Sequence, residues 1–141
     1  MKKLIIFLKL LFIFTVFSTN SIADDLRDFI LKQVEAREFN SEWYVDEYQN
    51  FIVIDDTLQV FTKAQAKELM DIAKESNLFP TIKSFNILSR SDTGDFISVS
   101  FEYEWEVKVG KTNMDGEVSG ISVYLKTDDG GFISVFDAQT Q

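Results

Sequence analysis

The chain has 141 residues, 23 acidic against 14 basic side chains, a net charge of −9, 14 phenylalanines, and neither histidine nor cysteine. That length allows one domain plus a targeting segment, and the acidity argues against nucleic acid and anionic membrane, both of which need a positive surface. The missing residue types remove disulfides, lipid anchoring on cysteine, nucleophile pairs that need histidine and the usual zinc and copper donors, so no metal or cofactor is expected.

Residues 1–23 read as a secretory signal. Lys2, Lys3 and Lys9 supply its charge, LLFIFTVF its apolar run, and Ser21 and Ala23 the small residues before a cut after Ala23. Lys9 interrupts an apolar stretch that falls short of the roughly 20 residues a spanning helix needs. The expectation is therefore a cleaved signal, export to the bacterial periplasm or the medium, and no membrane contact afterwards. Residues 24–141 form the domain.

Leu26, Phe29, Ile30 and Val34 recur at helical spacing, predicting an amphipathic helix from Asp24 to about Glu38. Asp24, Asp25 and Asp28 suit the dipole of its first turn. After Asn40, Ser41 is placed to cap a short second helix holding Trp43, Tyr44, Glu47 and Tyr48. Phe51 to Ile54 predicts a short strand ending at Asp55-Asp56. Thr62-Lys63-Ala64-Gln65 fits a capping box, and Ala66, Leu69, Met70 and Ala73 predict the buried stripe of a helix running to about Ser76.

Beyond Pro80 the period changes to two, predicting strands near 82–90, 95–109, 117–127 and 132–138 with turns at Thr93-Gly94, Asp115-Gly116 and Asp129-Gly130. Helices followed by a run of strands is an α+β pattern. The stretch ISVSFEYEWEVKV sends Ile97, Val99, Phe101, Tyr103 and Trp105 to one face and Ser98, Ser100, Glu102, Glu104 and Glu106 to the other. With the next turn around Lys111 to Asp115, the favoured register sets Phe101, Tyr103 and Trp105 beside Ile121, Val123 and Leu125, because a one-residue slip would place apolar against charged. In the last strand Phe132 and Phe136 point one way, Ile133 and Val135 the other. Apolar residues on both faces predict a cover for the second face, such as another subunit.

Helix, short helix, FIVIDD, VFTKAQAKELM and a closing VYLKTDDGGFISVFDAQ together resemble the nuclear transport factor 2-like superfamily, and within it the polyketide-cyclase-like (SnoaL-like) bacterial branch. The resemblance covers most of 24–141. It implies a cone: N-terminal helices packed on a curved, mainly antiparallel sheet, with a pocket at the open end and, in many members, a homodimer. The superfamily holds isomerases, cyclases, dehydratases, carriers and immunity-type proteins, so the resemblance speaks to fold more than to chemistry.

In such a cone the pocket candidates are Trp43, Tyr44 and Tyr48 from the short helix with Tyr103 and Trp105 from the long strand, each an apolar body with a hydrogen-bonding tip. Packing as ordinary core is the competing reading. Asp55 matches the position of the general base in the ketosteroid isomerase branch. The rest of that machinery is missing: the first helix has no tyrosine, and no acid lies on the inward face of the long strand. Asp55 is then better read as a solvated turn. Glu102, Glu104 and Glu106 stand roughly 7 Å apart along one strand face, too far to converge on one cation, and read as a solvated row paired to Arg90 or Lys126. Phe96, Tyr124, Phe132 and Phe136 are the candidate dimer face.

Three functional classes follow. The favoured one is a non-enzymatic exported domain binding a small apolar ligand or a protein in the cone. The second is a lyase- or isomerase-like enzyme using Asp55 as base. The third is an immunity-type or secretion-apparatus protein docking a basic partner on its acidic sheet face.

Overall fold

The computed structural model describes residues 25–140, so the signal predicted over 1–23 lies outside the described residues. The chain divides into two units, Met1–Lys32 and Gln33–Gln141. The described part of the first lies in helix α1, described over 25–34, where Leu26 and Ile30, one turn apart, are buried. α1 ends four residues earlier than its periodicity suggests, in a turn closed by the Ala36 N–H on the Gln33 carbonyl (3.3 Å).

The second unit is built on a six-stranded sheet. A 3₁₀ turn (Ser41–Trp43) leads into β1 (Tyr44–Ile54); β2 (Thr57–Thr62), α2 (Lys63–Ser76), β3 (Thr81–Thr93), β4 (Phe96–Val109), β5 (Thr112–Lys126) and β6 (Phe132–Thr140) follow. The strand order is β2-β1-β6-β5-β4-β3. Every neighbouring pair is antiparallel except β1 with β6. The class is α+β, as expected.

The capping box at α2 is present in full. The Gln65 side chain accepts from the Thr62 N–H (3.0 Å), the Gln65 N–H reaches Thr62 Oγ1 (3.4 Å), and Asn77 ends the helix in the left-handed conformation. The short second helix is not there. Only Ser41–Trp43 coil, capped by the Asn40 side chain, and Tyr44 and Tyr48 lie on a strand. Aromatic residues spaced by four read equally well as one helix turn or as one strand face, and pairing of β1 to β2 and β6 decides for the strand.

The register of β4 against β5 is shifted by five residues from the favoured one, an odd shift that exchanges which residues of β5 lie beside the aromatic face. Phe101 faces Gly120, Tyr103 faces Val118 and Trp105 faces Gly116. The connection is a two-residue turn at Gly110-Lys111, with Gly110 at φ +62°, rather than a longer loop ending at Asp115. Size complementarity favours it. A Cβ at Gly116 would lie 2.6 Å from the Trp105 ring, and one at Gly120 would lie 2.8 Å from the Phe101 ring. Ring opposite glycine is what a search for matching apolar pairs overlooks. The buried inner face therefore carries Ile97, Val99 and Phe101 with Val118, Ser122 and Tyr124.

A bulge in β6 settles the ambiguous last strand. Tyr124 pairs with Ser134 and Val123 with Phe136, so Val135 is skipped and the alternation reverses there. Phe132 and Ser134 share the face of Tyr124, whereas Phe136 lies on the outer face, 5.2 Å from the Phe51 ring. The candidate dimer face is corrected accordingly. Tyr124 is 1% exposed and Phe132 falls on its side of the sheet, leaving Phe96 and Phe136 on the outer face. Exposed there beside them are Leu58, Val60 and Ile121.

Candidate functional site under helix α2

The stripe of α2 forms a wall rather than core. No residue of the helix is buried, and Leu69 is 45% exposed. Between α2 and the β1–β2 hairpin lies a pocket of about 320 Å³. Ala66, Leu69, Met70 and Ala73 line it from the helix; Tyr44, Tyr48, Asn50 and Phe61 line it from the strands. Ala36 and Phe39 on one side, and Leu78 to Pro80 on the other, complete it. Two alanines on the inward stripe keep the helix face shallow, which leaves the space open.

The aromatic residues of the wall are held in fixed geometry. Phe39 stacks on Tyr44 with ring centroids 4.9 Å apart, and Tyr44 meets Tyr48 edge-on at 4.6 Å. Behind Tyr48 stands Asp137, a buried carboxyl that accepts hydrogen bonds from the Tyr48 hydroxyl and from the Ser122 hydroxyl. Tyr124 shares hydrogen bonds with Ser122 and Ser134, and Gln33 donates to Ser134 (3.1 Å) and bonds Tyr44. A continuous polar chain thus runs from Tyr44 through Gln33, Ser134, Tyr124, Ser122 and Asp137 to Tyr48.

Burial raises the Asp137 carboxyl above the ordinary carboxylate range, and the two hydroxyl donors only partly offset this. All four tyrosines of the chain feel this group. Burial first, and the Asp137 charge second, hold Tyr44, Tyr48 and Tyr124 well above the usual phenol value and push Tyr103 up to about 12. These phenols stay protonated across the physiological range, so they serve as hydrogen-bonding groups rather than as bases.

Of the five pocket candidates, the structure brings Tyr44 and Tyr48 together in this wall. Trp43, Tyr103 and Trp105 do not line it. Tyr103 stacks along β4 on Phe101 at 6.1 Å, and the Trp105 indole lies over Gly116. Asp55 is exposed at the tip of the β1–β2 hairpin, where it and Asp56 both have positive φ (48° and 60°), away from the pocket. Glu106 pairs with Lys83 (2.9 Å) and Glu102 accepts from Asn86 (3.3 Å). Arg90 and Lys126 go instead to Asp92 (2.7 and 3.4 Å), whose carboxyl they hold below its usual range. Among the described residues no group of carboxylates is placed to hold a metal ion.

Two residues were missed. Asn50 lines the pocket, and its Oδ1 is buried without a hydrogen-bond partner. Asp137 is inward only because of the bulge at Val135. Its one local signal was an acid inside the mostly apolar run ISVFDA.

No protein-family profile and no curated protein matches the sequence. Solved structures do. A nuclear transport factor 2-like protein with a cystatin-like fold from Novosphingobium aromaticivorans superposes with a TM-score of 0.64 at 12% identity, covering 91% of this chain and 86% of that one. The fold is that of the nuclear transport factor 2-like proteins. A second protein so described, from Cytophaga hutchinsonii, gives a TM-score of 0.61 at 12% identity over 86% of this chain and 96% of that one. A ketosteroid isomerase-like protein from Erwinia carotovora atroseptica gives 0.62 at 10% identity, over 86% and 91%. On a nuclear transport factor 2-like fold the chemistry resides in the side chains of the site, here an apolar pocket with tyrosine and asparagine tips.

Proposed function

We propose that this domain is an exported, non-enzymatic binding module of the polyketide-cyclase-like branch that takes a small, largely apolar ligand in the pocket under α2. The observation that carries this reading is the combination in one wall of open apolar volume with a few placed polar groups, Tyr44, Tyr48 and Asn50. The exposed position of Asp55 speaks against the isomerase-like alternative, since a base must reach the proton it removes. The outer sheet face supports a homodimer as part of the same proposal. Leu58 and Leu88 (each 59% exposed), Ile121 (51%) and Phe96 (48%) make an apolar surface that water alone covers poorly.

Native mass spectrometry of the protein exported with its own N-terminus and purified without denaturant tests the whole proposal. The expected species starts at Asp24, is a dimer, and carries extra small-molecule mass that is lost in Ala66→Trp, which fills the pocket. An empty species that also fails to take up apolar probes would overturn the ligand reading, and salt-sensitive capture of a basic protein would replace it with docking on the glutamate row.

A further inference from the structure

The polar groups of the pocket wall are not equivalent. The Tyr48 hydroxyl donates its hydrogen bond to Asp137, and the Tyr44 hydroxyl is engaged by Gln33. Asn50 Oδ1, by contrast, is an acceptor shielded from water with nothing donating to it. Such an atom forgoes its hydrogen bond with water on folding and gains none in return, which natural interiors rarely tolerate. Asn50 pairs with Asp137 in the β1–β6 ladder, so its side chain lies on the inner face, and the pocket it lines gives a donor an approach to it. The terminal torsion of asparagine is broad, so the amide turns toward an arriving donor at little cost.

We propose that Asn50 Oδ1 selects the ligand: a neutral, mostly apolar molecule bearing one hydroxyl or N–H donor, which it hydrogen-bonds at the floor of the pocket. Neutrality follows from the lining, which contains no charged side chain, so an ionised headgroup would be desolvated there without a counter-charge. The donor requirement follows from the wall chemistry, in which the unmet need is that of an acceptor. The inference rests on the pocket reading above.

A matched pair of probes separates the two. 2-Naphthol and 2-methoxynaphthalene share the apolar body and differ in the donor, and each is titrated calorimetrically into the full protein. The expected result is that 2-naphthol binds about tenfold more tightly than the ether, the factor a net gain of roughly 1.4 kcal/mol provides. In Asn50→Leu that preference disappears while the ether still binds, and Asn50→Val gives the same answer if the leucine variant folds poorly. Equal affinities in the wild type overturn the donor assignment and leave the pocket reading intact. Preference for the ether overturns it as well, by placing the Asn50 amide N–H₂ inward. Failure of both probes to bind overturns the assignment together with the pocket reading. A preference that survives both substitutions moves the acceptor to another residue.

Discussion

Two stretches of the same inner sheet face are finished in opposite ways. Across β4, β5 and β6 the described inner-face residues pack closely. Glycines sit under aromatic rings, Ser122 and Ser134 are buried with their hydroxyls bonded, and Asp137 is sealed among tyrosines. Across β1 and β2, beneath α2, the space stays open, the helix presents alanines, and an asparagine oxygen is left unpaired. Dense packing with satisfied polar groups is how a domain fixes one structure; unfilled volume with an unmet hydrogen bond is a standing cost. The contrast teaches that this domain concentrates its rigidity on one side of Asp137 and its binding capacity on the other.

The largest effect should come from breaking the closed side. In Gly120→Ala the new methyl would lie 2.7 Å from the Ala138 carbonyl oxygen and 2.8 Å from the Phe101 ring, which is itself 2% exposed. The Ala138 oxygen cannot yield without moving the β5–β6 ladder, and the Phe101 ring on β4 is buried in the core. A loss of about 1–3 kcal/mol in urea unfolding is expected, and an unchanged midpoint would show that this side is looser than its contacts imply.

Asp137→Asn sharpens the comparison by pH. The folded carboxyl holds its proton more tightly than the unfolded one, because burial raises it. The stability this contributes is full below the unfolded value, about pH 4, and is lost as pH rises through the raised folded value. The asparagine variant does not titrate, so its stability relative to wild type should improve steadily from about pH 4 upward. The groups facing Asp137 are Tyr44, Tyr48, Tyr103, Tyr124 and Ser122, and the tyrosines remain protonated throughout that range. A difference between the two proteins that does not vary with pH would mean that Asp137 is ionised and solvated.

The smallest effect on stability belongs to the open side. Ala66→Leu adds three carbons to a wall with room for them and keeps a strong helix former, so stability should stay within about 0.5 kcal/mol of wild type. Binding of 2-naphthol should nevertheless fall, since the added side chain occupies the pocket. A destabilisation as large as that of Gly120→Ala would erase the distinction between the two sides.

Much of this was legible locally. Alternation along 97–107 specified β4, and Thr62 with Gln65 specified the start of α2, because both signals are contained within one element and rest on local geometry. The site was legible only in part. Tyr44 and Tyr48 were named, but on a helix, since their spacing of four suits a helix turn and a strand face alike. Asn50 carried no local signal, because an asparagine before an apolar run looks like an ordinary polar position.

By itself, then, the sequence determined the α+β order of elements, the long amphipathic strand, the cap of α2 and the absence of imidazole and thiol chemistry. Three things waited for the tertiary structure. The β4–β5 register depended on ring-over-glycine packing between strands, which apolar matching cannot see. The bulge at Val135 reversed the alternation of β6, burying Asp137 and sending Phe136 outward. The stripe of α2 became a pocket wall instead of core because the helix stands off the β1–β2 hairpin. Each depends on what another strand or helix presents across a gap, and local periodicity holds no information about that.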